Sequence, residues 1–230
     1  MAPVLGYWDI RGLCEPIRYL LAHAKVSYED KRYGFGNGPE PSRDEWLADK
    51  YKLGLDFPNV PYYIDGDVKL TQSMAILQYL GRKHGLAPKD EATQLRVDVL
   101  QLTAFDVIMW AVRVCYDPEY TEEKRKQFLV DVADKLKQFD SYLSKYGPFG
   151  AGKSATYVDF LLYEALQIVK ILGPSTFRKG YPQLEEYCQR VAALPGMKEY
   201  LASDRFKAWP IWSPYAKALA AQHKPPADDC

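Results

Sequence analysis

Apolar and polar residues follow two different patterns along the chain, and the pattern changes near residue 84. Before that point, the short runs 3–8 and 27–33 predict strands. Between them, apolar side chains recur at the spacing of one helix face: Ile17, Leu20, Leu21 and Ala24. Pro16 suits the first turn of such a helix, where its missing N–H is not needed. The order strand–helix–strand predicts a parallel pair joined by a crossover.

The stretch 61–77 predicts a hairpin followed by a helix. Two short strands flank a turn at residues 65–67, and the helix begins at Ser73, directly after the second strand. A helix start carries free N–H groups and a partial positive charge, so it attracts a small anion such as a carboxylate. Gln72 adds a neutral amide that can orient a ligand. Tyr7, at the end of the first strand, can then face that ligand.

The resulting order, βαβ and then ββα, predicts a thioredoxin-like α/β layer. A loop rich in glycine and proline, residues 34–42, lies between its two halves. No Lys-Ser or Lys-Thr pair follows, so the loop does not match a phosphate-binding loop. We therefore expect either a mobile surface loop or a flap over a pocket.

Beyond residue 84 helical periodicity replaces the strand pattern. Three helices are marked by their apolar positions: Leu95, Val99, Leu102 and Met109; Phe128, Val132, Leu136, Phe139 and Leu143; and Val158, Leu161, Leu162, Ala165 and Val169. The third starts at a capping box, Thr156–Asp159, with Asp in place of the usual Glu or Gln. A fourth helix is predicted near 184–193. We expect an α/β domain at 1–84, a linker at 85–90 and an all-α domain at 91–230 with a loose end.

Composition narrows the class of protein. Thirty positive residues balance thirty negative ones, so no global charge favours nucleic acid or an anionic membrane. We find no secretory or membrane-spanning pattern. Neither the cysteines nor the histidines have metal-ligand spacing: Cys14, Cys115, Cys188 and Cys230; His23, His84 and His223. We therefore expect a cytosolic protein with reduced thiols and no metal.

Five segments carry a resemblance to a known family: Leu5–Leu13, Lys52–Pro61, Leu70–Ser73, Thr156–Phe160 and Ser203–Phe206. They resemble the signature segments of mu-class glutathione transferases, and loop 34–42 falls where that class has its own insertion. The likeness covers nearly the whole chain, up to about Ser213. It is nearest to arthropod members, some of which are allergens.

The resemblance implies an enzyme that conjugates glutathione to hydrophobic electrophiles, either xenobiotics or lipid-oxidation products. Glutathione is then a cosubstrate, with no metal or covalent cofactor. Tyr7 is implied as the catalytic residue, because a hydroxyl that donates to the sulfur favours the thiolate. Without the resemblance, Tyr7 is one strand tyrosine among eighteen. The alternative is a non-catalytic binder of hydrophobic ligands or a structural protein on the same scaffold, which has no need of Tyr7.

The resemblance also implies the glutathione-binding residues: Tyr7, Trp8, Arg43, Trp46, Lys50, Asn59, Val60, Pro61, Gln72 and Ser73. Cationic groups and an indole N–H suit the glycine carboxylate. The Val60 backbone can pair with the cysteinyl unit as an added strand does, and Pro61 is expected to be cis. Gln72 and the Ser73 N–H suit the γ-glutamyl carboxylate. By residue type alone, Arg43 and Lys50 read as solvated surface charges and Ser73 as a plain cap.

Asp106 interrupts an otherwise apolar helix face, and a buried carboxylate needs a partner. It can pair within its own chain, for instance with Arg113. The resemblance instead implies that it reaches glutathione bound by the neighbouring subunit of a homodimer. Phe57 is then an aromatic key that enters the partner, and Arg82 an interface charge. By residue type alone, Phe57 reads as core.

The implied electrophile pocket is lined by Tyr7, Ile10, Leu13, Met109, Tyr116, Trp212 and Ser213. Tyr116 can donate to charge that builds on the substrate, or can simply pack at a helix end. The sequence departs from the familiar mu pattern at Trp110, at Arg113 and from Trp209 to Cys230. Of the properties that the resemblance implies, substrate preference is therefore the one that transfers least to this chain. A thiol-transferase role for Cys14 is possible, but we interpret Cys14 and Cys115 as packing residues.

Overall fold

Four strands form one mixed sheet in the first third of the chain. The computed structural model describes residues 2–226. The strands are β1 (Val4–Trp8), β2 (Glu29–Tyr33), β3 (Tyr62–Asp65) and β4 (Val68–Thr71). Their order is β2-β1-β3-β4, with β1 and β2 parallel and the other two pairs antiparallel. This confirms the predicted thioredoxin-like layer.

Three helices and one short 3-10 turn accompany the sheet. They are the turn Gly12–Cys14 and the helices α1 (Glu15–His23), α2 (Asp44–Asp49) and α3 (Ser73–Lys83). On α1 the predicted residues Ile17, Leu20 and Leu21 are fully buried. The sequence analysis missed α2, because it buries only Trp46 and is too short to show a period.

The rest of the chain is helical. The helices are α4 (Glu91–Cys115), α5 (Glu122–Tyr146), α6 (Tyr157–Leu172), α7 (Pro174–Gly180), α8 (Pro182–Ala192) and α9 (Met197–Leu201). The central helix, α6, packs against α1, α4, α7 and α8, so the core joins the sheet-bearing part to the helical part. Its predicted cap is confirmed: the Asp159 carboxylate accepts the Thr156 backbone N–H at 2.8 Å. The short helices α7 and α9 were not predicted.

The face of α4 differs from the one that the sequence suggests. Leu95, Val99 and Leu102 are about 60 % exposed or more, whereas the buried face includes Val97 and Leu100. Two apolar stripes run along this helix, so the hydrophobic pattern alone does not show which one faces the core. The prediction that Asp106 lies among buried residues is wrong for the single chain, where it is exposed.

Helix α3 ends at Lys83 and α4 begins at Glu91, and the described chain has no helix or strand between them. The domain boundaries at 84 and 91 stay predictions. After α9 the described chain continues to residue 226 without a further helix or strand. The predicted loose end lies largely outside the described residues, as does Cys230. Within residues 2–226 no helix is long and apolar enough to span a membrane.

Candidate active site

The strand register brings three separate segments to one end of the sheet. β3 begins at Tyr62, which pairs with Gly6 of β1 and with Thr71 at the end of β4. The residues that end β1, precede β3 and follow β4 therefore lie close together: 7–8, 59–61 and 72–73. The sequence predicted functional residues in all three segments.

Loop 34–42 leaves the sheet at this same end, because Trp8 and Tyr33 pair where the parallel strands β1 and β2 finish. The Ser42 N–H donates to the Phe35 carbonyl at 2.7 Å and closes the base of the loop. The Phe35 ring stacks on the Trp8 ring with centroids 4.9 Å apart. The loop therefore packs directly against a predicted glutathione-binding residue.

Tyr7 is buried, and its hydroxyl oxygen accepts the backbone N–H of Leu13 at 3.1 Å. Burial raises the pKa of Tyr7 well above its ordinary value, and the Leu13 N–H offsets only part of that rise. The hydroxyl therefore stays protonated at neutral pH. Since its oxygen already accepts the Leu13 N–H, its own proton is available to donate to a ligand.

Gly12 makes room for this arrangement. Its φ is +51°, and a Cβ built there would lie 2.6 Å from the Tyr7 hydroxyl oxygen. Only glycine combines this backbone conformation with so close an approach.

Trp46 is buried in a small aromatic cluster with Tyr33 and Tyr62. Its ring stacks on Tyr62 at 6.0 Å and meets Tyr33 edge-on at 5.4 Å. At the ends of α2, Arg43 is exposed and Lys50 half-buried. Neither has a carboxylate within ion-pair distance among the described residues. Both cations are therefore available to an anionic ligand.

In the segment 59–61, before β3, the structure confirms the predicted cis peptide but shows that the Val60 N–H already has a partner. The Val60–Pro61 peptide is cis, as predicted. The Val60 N–H, however, donates to the exposed Asn59 side-chain oxygen at 2.9 Å. A ligand that pairs with both backbone groups of Val60 has to displace that side chain.

Gln72 and Ser73 occupy the start of α3, as predicted. Gln72 is the N-cap residue, with φ of +71°, and Ser73 is buried at the first helical position. A non-glycine residue rarely adopts a positive φ, and such residues cluster at ligand-binding sites. The Gln72 side chain itself is exposed and can meet a ligand above the helix start.

The predicted interface residues all lie on the surface of the single chain. Phe57 is 77 % exposed, so the alternative interpretation of Phe57 as a core residue is wrong. Arg82 and Asp106 are exposed as well. Among the described residues Asp106 has no ion pair, so the suggested pairing with Arg113 is wrong too.

Four of the predicted electrophile residues lie at two places in the structure. Ile10 lines a cleft of about 400 Å³ between loop 34–42 and the chain from Lys207 to Ala221. Tyr116, Trp212 and Ser213 form a separate contact group, in which the Tyr116 hydroxyl lies 2.8 Å from the Ser213 hydroxyl.

The Tyr116 oxygen also accepts the Ser213 N–H at 3.1 Å. Tyr116 can donate to a substrate only when Ser213 donates to Tyr116 instead. Leu13 and Met109 are half-buried.

Cys14 and Cys115 are buried free thiols. Burial raises the pKa of each to about 12. Both therefore stay protonated, which agrees with their interpretation as packing residues.

Three contributors to the site were not predicted: Gly12, the Leu13 backbone N–H and Phe35. Phe35 is the one aromatic residue of loop 34–42, a signal that could have drawn attention to it. The Leu13 N–H is a backbone group that no side-chain pattern reveals.

Two family models match the chain: the glutathione S-transferase N-terminal domain at residues 3–82 and the glutathione S-transferase C-terminal domain at residues 105–204. Glutathione S-transferase Mu 2 of Rattus norvegicus is 44 % identical over 94 % of this chain and 98 % of that relative. Glutathione S-transferase Mu 1 of Homo sapiens is 42 % identical over the same shares.

Among solved structures, the glutathione S-transferase Blo t 8 superposes with a TM-score of 0.86. It is 37 % identical, and the match covers 93 % of this chain and 98 % of that one. Identity at this level over nearly the full length of each relative leaves no other family in question. The chain therefore belongs to the mu class of the glutathione S-transferase family.

Proposed function

We propose that this chain conjugates the thiolate of glutathione to hydrophobic electrophiles, and that the Tyr7 hydroxyl stabilises the thiolate. The observation that carries the proposal is the Tyr7 geometry: a buried, protonated hydroxyl whose oxygen already accepts the Leu13 N–H at 3.1 Å. Such a group acts as a donor. A hydrogen bond to the charged form of a ligand lowers the pKa of that ligand.

The size of the effect can be worked out. An ordinary thiol has a pKa of about 8.5, so only a few per cent is thiolate at pH 7. Lowering the pKa by about two units takes about 2.7 kcal/mol, within the range of about 1.5–3 kcal/mol for a hydrogen bond to a charged group. The thiolate fraction then rises by about twenty-fold.

Part of that gain is lost again, because a less basic thiolate is a weaker nucleophile. The logarithm of thiolate reactivity falls with thiol pKa at a slope of roughly 0.4–0.5, so a pKa lowered by about two units costs about eight-fold in reactivity. The net activation is therefore only a few-fold. The larger contribution comes from holding the electrophile beside the sulfur, where effective molarity is high.

Glutathione itself is proposed to lie along the end of the sheet. Arg43, Lys50 and Trp46 suit its glycine carboxylate, since both cations lack a carboxylate partner among the described residues. The start of α3, with Gln72 and Ser73, suits the γ-glutamyl carboxylate. The cysteinyl unit would pair with Val60 once the Asn59 side chain turns away.

We also propose a homodimer. Leu95, Val99 and Leu102 form one exposed apolar stripe on α4, and Asp106 continues the same face. Exposed apolar stripes of this kind mark interaction surfaces. A second copy on this stripe would place Asp106 near the partner's ligand. The three described cysteines are buried thiols, which supports our placing the protein in the reducing cytosol.

The experiment is conjugation of glutathione to 1-chloro-2,4-dinitrobenzene by the wild type and by Tyr7→Phe, measured across pH. At pH 7 turnover of the variant should fall by at least about three-fold from the ionisation effect alone. The ratio of wild-type to variant turnover should shrink as pH rises past about 8.5, where free thiol ionises unaided. Tyr63→Phe, a buried tyrosine on the adjacent strand β3, is the matched control.

A wild-type to variant ratio that does not change with pH would reject the role of Tyr7 in ionisation. Bound glutathione without turnover in the wild type, with any electrophile tried, would favour the ligand-binding alternative.

The dimer is tested by sedimentation velocity on Leu102→Glu, with Val130→Glu as control. Val130 is similarly exposed, at 69 %, but belongs to α5 and not to the α4 stripe. Only the Leu102 variant should become monomeric. A monomeric wild type, or a Leu102 variant that stays dimeric, would contradict the proposal.

A further inference from the structure

The chain after α9 contains a segment that is firmly held although it has no regular structure. We name residues 209–220 the C-terminal platform. The Arg11 N–H donates to the Pro210 carbonyl at 3.1 Å, and the Gly12 N–H to the Ile211 carbonyl at 2.9 Å. The platform is thus bonded to the turn that supports Tyr7.

At its other end, the platform is bonded to the end of α4. The Lys217 N–H donates to the Cys115 carbonyl at 2.7 Å, and Leu219 is fully buried. These contacts make the platform a fixed surface.

Loop 34–42 faces the platform across the cleft of about 400 Å³. Its base is closed by the bond between Ser42 and Phe35, but residues 36–40 are exposed. Gly36 has a φ of +74°, and one more glycine, Gly38, and two prolines, Pro39 and Pro41, follow it. By itself, a loop of this composition has little to hold one position.

Tyr215 joins the two sides of the cleft. Its hydroxyl donates to the Pro41 carbonyl at 2.9 Å, and its ring meets the Phe35 ring edge-on at 6.2 Å. Phe35 in turn stacks on Trp8. A continuous series of contacts therefore joins Tyr215 on the platform, through Phe35 in the loop, to Trp8, the residue next to Tyr7.

We propose that Tyr215 is a latch that holds loop 34–42 closed against the C-terminal platform, and that the closed loop limits the length of electrophile the cleft admits. The selectivity part of this proposal rests on the proposed function, whereas the latch itself does not. Pro214 and Pro210 line the cleft on the platform side, and Pro39 and Pro41 line it on the loop side. A longer apolar electrophile has to separate these two walls.

The first experiment measures amide hydrogen exchange of peptides that cover 34–42, without glutathione or electrophile. Tyr215→Phe removes the hydroxyl and keeps the ring. Since Tyr215 is 45 % exposed, its hydrogen bond has a modest effect, and exchange in the loop should quicken by about two- to five-fold. Tyr215→Ala, which also loses the ring contact, should quicken it further.

The matched control is Tyr142→Phe. Its hydroxyl likewise donates to a backbone carbonyl, that of Gly150 at 2.8 Å, but it lies on α5. Exchange of loop 34–42 should be unchanged in this variant. Unchanged loop exchange in both Tyr215 variants would overturn the latch.

The second experiment measures kcat/KM for a series of 4-hydroxy-2-alkenals of increasing chain length. The ratio of kcat/KM for the longest substrate to kcat/KM for the shortest should rise by about two- to five-fold in Tyr215→Phe. In Tyr142→Phe this ratio should stay at the wild-type value. Faster loop exchange with an unchanged ratio would overturn the length limit. A wild type that turns over no alkenal and no other electrophile would reject the proposed function, while the exchange data would still decide the latch.

Discussion

Gly12 offers the sharpest test of how the backbone positions Tyr7. In Gly12→Ala the new Cβ would lie 2.6 Å from the Tyr7 hydroxyl oxygen and 2.7 Å from its ring. To regain an ordinary contact of 3.4 Å, the hydroxyl has to move by about 0.8 Å. Displacements near 1 Å can cost about 100-fold in rate. We therefore expect kcat to fall by about ten- to 100-fold, with the Leu13 hydrogen bond lost as well.

The substitution also strains the backbone, and this second effect has to be separated from the first. At φ +51° an alanine costs about 1–2 kcal/mol. Gly66→Ala is the matched control: Gly66 has φ +60°, in the β3–β4 turn, and a Cβ there meets nothing within 4 Å. Both variants should lose a similar free energy of unfolding from backbone strain, measured by urea denaturation.

Only Gly12→Ala should lose turnover with 1-chloro-2,4-dinitrobenzene. A Gly12→Ala enzyme with wild-type kcat, destabilised no more than Gly66→Ala, would refute the argument that the hydroxyl position limits the rate.

Two further predictions concern the buried polar groups of the core. Glu164 pairs with the Arg11 guanidinium at 2.5 Å inside the protein, so Glu164→Ala should lower the free energy of unfolding, measured in urea titrations, by about 3–5 kcal/mol. The control is Asp134→Ala, at an exposed pair with Lys137, which should change that free energy by less than about 1 kcal/mol. Burial raises the pKa of the Cys14 thiol to about 12, so at pH 8 the folded protein should resist iodoacetamide at this residue; mass spectrometry that finds rapid alkylation of Cys14 without unfolding would contradict its burial.

The fold was largely predictable where one pattern dominates. Helix α5 has a single apolar face, and the residues that mark it, such as Phe128, are buried. Helix α6 is buried on nearly all sides, so every residue predicted for its core face, such as Leu161, is buried too. On α4 the prediction of a helix was right, but its buried face was not identified. Val97 and Leu95 both belong to apolar stripes, and only tertiary packing decides between them.

The side chains of the candidate site could be predicted from the sequence, but the hydrogen bonds that hold them in place could not. The βαβ–ββα pattern predicted the strands, and the observed strand order and register bring Tyr7, Gln72 and Ser73 to one end of the sheet. The bond from Leu13 to Tyr7 and the latch from Tyr215 to Pro41 depend on backbone groups. Neither a backbone group nor a contact across 174 residues leaves a trace in local periodicity.

The sequence also did not show that Val60 and Tyr116 already have hydrogen-bond partners within the chain. Each was predicted as free to meet a ligand, and each already has a partner, Asn59 or Ser213. The Val60–Asn59 bond depends on a side-chain rotamer, which residue type does not fix. The Tyr116–Ser213 bond joins residues 97 apart in the chain, so local patterns do not show it.

The central claim is that the protonated Tyr7 hydroxyl lowers the pKa of glutathione bound beside it. The most direct measurement is an ultraviolet titration of the thiolate of bound glutathione, in the wild type and in Tyr7→Phe. We predict a pKa about two units below the ordinary thiol value of about 8.5 in the wild type, and a return upward by about one to two units in the variant. Equal pKa values in the two proteins, with glutathione bound in both, would contradict the claim.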